Sequence, residues 1–168
     1  MRLPEGTRAE LIDGELFVSP SPRLRHQRIS LHLATRLADF AEGQGLGLVY
    51  YAPIDVHLPS GDIVQPDVVF VASGNSDILQ DWIRGAPDLV VEIISPDGAE
   101  RDRIVKKDLY ARNGVREYWI IDDQNRAVEV FILRGRVFEP EGSFREGENV
   151  KSTVLAGLSL AVGQIFAP

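Results

Sequence analysis

The sequence predicts an α/β fold in which helices flank a mixed β-sheet and a β-hairpin forms the N-terminus. Three observations predict this class. Short apolar runs typical of strands recur along the chain, a helical pattern separates the runs 89–94 and 117–122, and Asp13-Gly14 lies between two apolar runs near the start. A helix that connects two strands of one sheet forms a right-handed crossover, so these two strands are expected to be parallel.

Size and composition are those of a globular domain. The chain has 168 residues, of which 44% are hydrophobic and 26% are charged, and we expect one domain over residues 1–168. It has no Cys, which excludes disulfides and thiolate metal sites. The N-terminus lacks a signal-peptide h-region, and no apolar run approaches the roughly 20 residues that span a bilayer. These features predict a cytoplasmic protein with no membrane partner.

The first third of the chain predicts a hairpin followed by a helix. Residues 8–18, RAELIDGELFV, place Asp13-Gly14 between short apolar runs, which is the pattern of a two-residue hairpin turn. Residues 19–22, SPSP, predict a stiff, extended connection. Apolar residues then recur at helical spacing up to Gly43, which predicts a helix of about 15 residues.

The middle of the chain predicts two strands and a loop. Residues 54–58 alternate as a half-buried strand does, and residues 59–62 form a turn into a second strand at 64–71. We expect these two strands to pair antiparallel. Residues 73–85 predict a surface loop with one helical turn.

The second half predicts the crossover. Residues 89–94 form a buried strand, and a helix is expected to begin at Asp97 or Asp102 and to end at Asn113-Gly114, because Gly commonly follows the last helical turn. The remaining elements are a buried strand at 117–122, an alternating strand at 128–132, and a tail of strand and short helix.

Glu92 is anomalous within this pattern. It lies in PDLVVEIISPD, residues 87–97, with apolar residues on both sides, as expected of a strand covered on both faces. An ionised carboxylate there loses several kcal/mol of hydration unless other groups replace the water. The sequence must therefore supply a partner for Glu92, a cation, or a raised pKa.

Other carboxylates are predicted to lie near Glu92. Strand alternation places Asp88 on the same face as Glu92, and Asp67 stands at the start of the strand that we expect to pair with 88–94. Two carboxylates within about 4 Å repel each other unless a proton or a hard divalent cation lies between them. Oxygen ligands favour Mg²⁺ or Mn²⁺, so the sequence predicts such a cation at Asp67 and Glu92.

A lysine on the following helix is a candidate to reach the same place. Asp102, Lys106 and Tyr110 share one helical face. A lysine beside a metal would orient an attacking water or neutralise charge on a phosphate. The alternative is a surface pair between Asp102 and Lys106, worth a few tenths of a kcal/mol.

The charge distribution gives a mixed indication about nucleic acid. The net charge of −7 argues against a protein that binds DNA by bulk charge, because phosphate neutralisation needs clustered Lys and Arg. Basic residues nevertheless form two groups, at 23–36 and 101–116. Such groups are more often solvated faces than binding sites.

Four ordered segments resemble the Uma2 family, a domain of unknown function within the PD-(D/E)XK nuclease superfamily. They are ELIDGELFVSPSPRLRHQRI, PIDVHLPSGDIVQPDVVFV, APDLVVEIISPD and DRIVKKDLYARNGVREYWIID. The resemblance covers nearly the whole chain. It implies a restriction-endonuclease-like core, a four-stranded mixed sheet flanked by helices, with a metal site built from the Pro-Asp and Glu motifs.

The resemblance also implies roles for single residues. Asp67 matches the metal-binding aspartate, and Glu92 matches the acidic residue of the next strand. The superfamily's lysine would stand at Ile94, so the usual motif is broken here. Lys106 matches the helix lysine that takes over in this family, with Lys107 as the runner-up. We expect Lys106→Met to lower cleavage and to leave the fold intact.

Two further residues are secondary candidates. Glu10 resembles the N-terminal acid of the superfamily site, and His26 matches a family histidine of unclear role. By sequence pattern alone, Glu10 is a solvated hairpin residue and His26 is a helix cap or a surface group.

Two functions follow as expectations. The first is a Mg²⁺-dependent DNA endonuclease with metal on Asp67 and Glu92 and with Lys106 as the positioning cation. The second is an inactive nuclease-fold module that binds nucleic acid or a partner protein. The acids and the replacement lysine favour the first, whereas the negative net charge favours the second. The sequence leaves a homodimer open.

Overall fold

A computed structural model describes residues 8–94 and 99–168 of the chain. Its strands are β1 (Ala9–Ile12), β2 (Glu15–Val18), β3 (Gly47–Tyr51), β4 (Val56–His57), β5 (Ile63–Val64), β6 (Val68–Ala72), β7 (Ile83–Arg84), β8 (Leu89–Ile94), β9 (Glu117–Asp122), β10 (Ala127–Arg134), β11 (Val137–Arg145), β12 (Asn149–Lys151) and β13 (Ser159–Ala161). Its helices are α1 (Leu24–Gly43), a 3₁₀-helix (Ser73–Ile78), a π-helix (Arg101–Lys106), α2 (Lys107–Arg112) and α3 (Val162–Ile165).

The central sheet is mixed, as predicted. Its strand order is β11-β10-β9-β8-β6-β3. The pair β8 and β9 is parallel, which confirms the expected crossover, and the other neighbours are antiparallel. The sheet has six strands rather than four. One of the strands not predicted is β3, which begins at Gly47 with a positive φ, where an added Cβ would collide with the Val71 backbone.

A second, smaller sheet carries the N-terminal hairpin. Its order is β2-β1-β5-β4-β7, with the predicted Asp13-Gly14 turn between β1 and β2. The prediction of one long strand at 64–71 is wrong. The antiparallel pairing of β4 with β5 ends at Val64, and the chain enters the central sheet only at Val68. Pro66 lies between the two strands and has no N–H for a ladder, which separates them.

Helix α1 is longer than predicted. It runs from Leu24 to Gly43, 20 residues, because a basic first turn precedes the apolar face that marks the helix in the sequence. Its buried residues Ile29, Leu33 and Leu37 pack in one cluster with side chains of the central sheet. The helix therefore covers one face of that sheet.

The crossover helix covers the opposite face. Leu109 and Tyr110 of α2 pack in a second cluster with Val90 and Ile94 of β8. Because strand side chains alternate, Glu92 shares this face with Val90 and Ile94. The predicted helix is confirmed, but its residues Arg101–Lys106 form a π-helix, a form often found at functional sites. Asp97, the alternative helix start, lies outside the described residues.

Among the described residues, no helix combines the length and apolar character required to cross a bilayer.

Glu117, at the start of β9, links the central sheet to Thr153 by hydrogen bonds. Its fully buried carboxylate accepts hydrogen bonds from Trp119 Nε1 at 2.6 Å and from the Thr153 N–H and hydroxyl at 2.8 and 2.7 Å. Glu117→Ala would leave the buried Trp119 Nε1 without its acceptor and would free both Thr153 donors, so we expect a loss of about 3 kcal/mol in the free energy of unfolding. Urea denaturation would measure it. Exposed Glu139→Ala, on the same sheet, should change it by less than about 0.5 kcal/mol.

Candidate active site

One cavity of about 910 Å³ contains all five candidate residues that the sequence and the resemblance singled out. Glu10 comes from β1, His26 from the first turn of α1, Asp67 from the residue before β6, Glu92 from β8, and Lys106 from the end of the π-helix. Residues 17–23, which end β2 and lead into α1, line the same cavity. The hairpin, both helical layers and the central sheet thus meet at this point.

Lys106 is the partner that the buried Glu92 requires. Its Nζ atom lies 2.9 Å from Glu92 Oε1, 2.8 Å from Glu10 Oε1 and 3.7 Å from Asp102 Oδ1. Lys106 is 3% exposed and Glu92 is 4% exposed, so water screens this ion pair poorly. The alternative of a surface pair between Lys106 and Asp102 is therefore wrong.

Burial and neighbouring charges shift the protonation of this pair. Burial raises the pKa of Glu92 well above its ordinary value; Lys106 opposes this shift, while nearby acids add to it. Burial alone would lower the pKa of Lys106, but Glu92, Glu10 and Asp102 together raise it. The Tyr110 hydroxyl also donates to Glu92 Oε1 at 2.6 Å. Lys106 and Tyr110, two of the three residues on the helical face identified in the sequence, thus contact Glu92.

Asp67 lies beside the same strand. The antiparallel pairing of β6 with β8 brings Asp67 Oδ2 to 2.8 Å from the Ile93 N–H, which donates to it. Asp67 Oδ1 lies 2.9 Å from His26 Nε2 and 3.9 Å from Arg8 Nη2. His26 is therefore a partner of Asp67, and the alternative that it caps α1 or lies on the surface is wrong.

Glu10 is part of the buried cluster. It is 4% exposed, so its interpretation as a solvated hairpin residue is wrong. Besides the contact with Lys106, its Oε1 accepts a hydrogen bond from the Gln65 N–H at 2.9 Å. The fold places Glu10 inward because the hairpin of the small sheet contacts the π-helix, where Arg101 lies over the Phe17 ring and Lys106 pairs with Glu10.

Asp102 is the site residue that sequence reasoning missed. It is 6% exposed and lines the cavity. Within residues 8–94 and 99–168, no hydrogen-bond donor reaches its Oδ1 atom. The spacing of four residues from Lys106 was the available signal, but the same spacing is common on exposed helix surfaces.

The neighbouring candidates lie elsewhere. Lys107 Nζ lies 3.9 Å from the centre of the Phe131 ring and does not line the cavity. Ile94, at the position of the superfamily's lysine, does line it. Asp88 lies outside the cavity, where it accepts bonds from the Ala72 N–H and from Arg116.

The carboxylates around the cavity are of the donor type that hard divalent cations take. Glu10, Asp67, Glu92 and Asp102 are all buried around one cavity, and an oxygen atom of Asp102 has no donor within the part of the chain that the structure describes. That same part contains no group of three His, Cys, Asp or Glu side chains placed to hold one metal ion. Mg²⁺ is usually held by one or two carboxylates with waters and substrate phosphates, so two carboxylates suffice.

Comparisons with known proteins agree with this fold and place the chain in a family. A solved structure described as "a putative nuclease belonging to DUF820" from Anabaena variabilis ATCC 29413 superposes with a TM-score of 0.79. It is 20% identical, and the match covers 94% of this chain and 89% of that one. A search of curated proteins found no match. The model of the family described as "Uma2: Putative restriction endonuclease" matches residues 1–163, and the chain belongs to that family.

Proposed function

We propose that this protein is a Mg²⁺-dependent endonuclease that hydrolyses phosphodiester bonds in DNA, with Mn²⁺ as an alternative cation. The observation that carries the proposal is the meeting of Asp67, Glu92 and the buried Lys106 in one cavity. The family description supports the reaction class. Carboxylates beside a buried ammonium are suited to a phosphate whose charge grows during hydrolysis.

In this proposal Asp67 and Glu92 hold the cation through their carboxylate oxygens. When bound, a divalent cation supplies Lewis-acid activation of water and neutralises phosphate charge. Lys106 keeps its ammonium close to the attacked phosphate, because the π-helix and Glu10 hold Nζ inside the cavity. His26 orients Asp67 through the 2.9 Å contact with Oδ1.

Basic side chains at the cavity supply the contact to nucleic acid. Arg8, Arg23, Arg25 and Arg101 all line it, although the chain as a whole carries a net charge of −7. Local fields, more than net charge, steer a polyanion into a cleft. These arginines supply local positive charge for a DNA substrate, beside the acids that line the same cavity, Glu10, Asp67, Glu92, Asp102 and Asp123.

A cleavage assay with matched variants tests the proposal. We expect the purified protein to nick supercoiled plasmid or cut single-stranded DNA in the presence of Mg²⁺ or Mn²⁺. EDTA should stop this cleavage. Asp67→Asn should lower the rate by at least about 100-fold, as expected for loss of a group central to catalysis. Exposed Asp77→Asn, in the 3₁₀-helix, is the control and should cleave like the parent.

A second function, an inactive module that binds nucleic acid, is favoured by one observation. The ammonium of Lys106 already pairs with Glu92 at 2.9 Å, so the buried charge is compensated by the protein itself. In that case, the protein would not cleave DNA with any added divalent cation. A gel-shift assay would still detect DNA binding, and Arg23→Ala and Arg25→Ala would weaken it. Cleavage that Asp67→Asn abolishes would exclude this function.

A further inference from the structure

Among residues 8–94 and 99–168, two buried groups in the cavity each have one bonding position without a partner. A lysine ammonium has three N–H donors, and Glu10 and Glu92 accept from Lys106 at 2.8 and 2.9 Å. The next acceptor, Asp102 Oδ1, is 3.7 Å from Nζ, beyond hydrogen-bond distance. That oxygen is buried and has no donor among the residues that the structure describes.

We propose that Asp102 is a second acceptor for Lys106, which moves from Glu92 to Asp102 when Glu92 takes up a divalent cation. This inference rests on the proposed function, because it requires that Glu92 binds a cation. It makes Asp102 a positioning residue that acts through Lys106. Neither the resemblance nor the family description assigns a role to Asp102.

The geometry favours this movement. Lys106 Nζ needs to shift by about 1 Å to bring Asp102 Oδ1 from 3.7 Å to the distance of a charge-assisted hydrogen bond. Asp102 and Lys106 belong to the same π-helix, so the acceptor is fixed relative to the lysine backbone. The contact between Lys106 Nζ and Glu10 Oε1 can persist during this movement.

Electrostatics supply the reason for the movement. An ammonium 2.9 Å from Glu92 Oε1 compensates that carboxylate while no other cation is bound. A divalent ion on the same carboxylate would repel the ammonium at short range in a poorly screened site. Asp102 then keeps the lysine inside the cavity, beside the phosphate, where otherwise it would be driven away.

Arg101 is the competing partner for Asp102. Its Nε atom lies 4.0 Å from Asp102 Oδ1 and is also buried without a partner among the described residues. Its guanidinium, however, lies over the Phe17 ring at 5.5 Å and 4.0 Å from Glu10 Oε2. These contacts hold Arg101 toward the hairpin, and Lys106 is the nearer donor.

A double-mutant cycle on metal affinity tests the inference. Mn²⁺ binding would be measured by calorimetry for the parent, Asp102→Asn, Lys106→Met and the double variant. We expect Asp102→Asn to weaken Mn²⁺ binding by about tenfold in the parent and by less than about twofold in the Lys106→Met background. Equal weakening in both backgrounds would mean that Asp102 acts on the metal directly, and it would overturn the inference.

A parallel cycle with Arg101→Met separates the two basic partners. If Asp102→Asn loses its effect in the Arg101→Met background and keeps it in the Lys106→Met background, Arg101 is the partner and the inference is wrong. If the parent binds no Mn²⁺, the proposed function fails as well. If the parent binds Mn²⁺ but the effects of Asp102→Asn and Lys106→Met on affinity are additive, the inference is wrong and the proposed function stands.

Nuclear magnetic resonance of the parent chain gives a readout that needs no variant to fold. The Lys106 side-chain resonance, assigned by through-bond correlations in the isotope-labelled parent protein, should shift when Mg²⁺ is added. In Asp102→Asn the new bonded state should not form, and its characteristic shift should be absent. A Lys106 resonance that Mg²⁺ leaves unchanged in the parent, while calorimetry detects binding, would overturn the inference.

Discussion

Glu92→Gln is expected to abolish metal-dependent cleavage while leaving the protein at least as stable as the parent in the absence of metal. Gln has the shape of a protonated Glu and can still accept from Lys106 and Tyr110, which contact Oε1 at 2.9 and 2.6 Å. Burial raises the pKa of Glu92, which means that the fold disfavours its charged form. The substitution removes a charge that burial disfavours, and Glu10 and Asp102 still compensate the Lys106 ammonium.

Thermal melting with and without Mg²⁺ measures the metal part of this prediction. A ligand that binds only the folded state raises the melting temperature, so Mg²⁺ should raise that of the parent and leave that of Glu92→Gln unchanged. Cleavage should fall by at least about 100-fold. Exposed Glu141→Gln on β11 is the matched control. An equal metal-induced rise in Glu92→Gln would show that Glu92 is not a ligand.

Local sequence patterns predicted the elements that hold the acids. The alternation in β8 and the Pro-Asp at the start of β6 were enough to predict that Asp67 and Glu92 approach each other. Paired strands bring facing side chains close together. The structure lines one cavity with both residues. Their roles as metal ligands, which the carboxylate pattern and the resemblance both imply, remain predictions.

The remaining features depend on tertiary contacts. The apolar pattern around Glu92 predicted that its buried charge needs a partner. Which residue is that partner depends on how closely the helix packs over β8. Glu10 appears exposed in its hairpin sequence and is buried only because the hairpin folds against the π-helix. The π-helix itself has no sequence marker in the run Arg101–Lys106, and strand β3 is too short to stand out. That Asp102 Oδ1 has no donor in the part of the chain that the structure describes depends on these placements.

Lys106→Met is expected to damage both stability and cleavage. The sequence-based expectation that it spares the fold does not allow for the burial of its ammonium among Glu10, Glu92 and Asp102. Removing one partner of a buried ion pair costs about 3–5 kcal/mol, because the other charge is left uncompensated. Met retains the apolar stem, so little packing is lost. The cleavage rate should also fall by at least about tenfold, as for a positioned catalytic group.

The loss of stability in Lys106→Met should depend on pH. Burial raises the pKa of Glu92 while Lys106 lowers it, so the variant carries Glu92 with a pKa raised further. The folded variant then binds a proton that the unfolded chain releases above the ordinary glutamate pKa of about 4.3, and its free energy of unfolding falls as pH rises. Urea denaturation should therefore show a smaller difference from the parent at pH 5 than at pH 8.

Lys107→Met separates the charge of Lys106 from the general effect of removing a helix lysine. Lys107 lies over the Phe131 ring at 3.9 Å, so its replacement should cost about 0.5–1 kcal/mol of cation–π interaction and leave cleavage unchanged. If Lys107→Met abolished cleavage while Lys106→Met remained active, the catalytic lysine would be Lys107 and not Lys106. If both variants cleaved like the parent, the buried ammonium would stabilise the acidic cluster without acting on the phosphate.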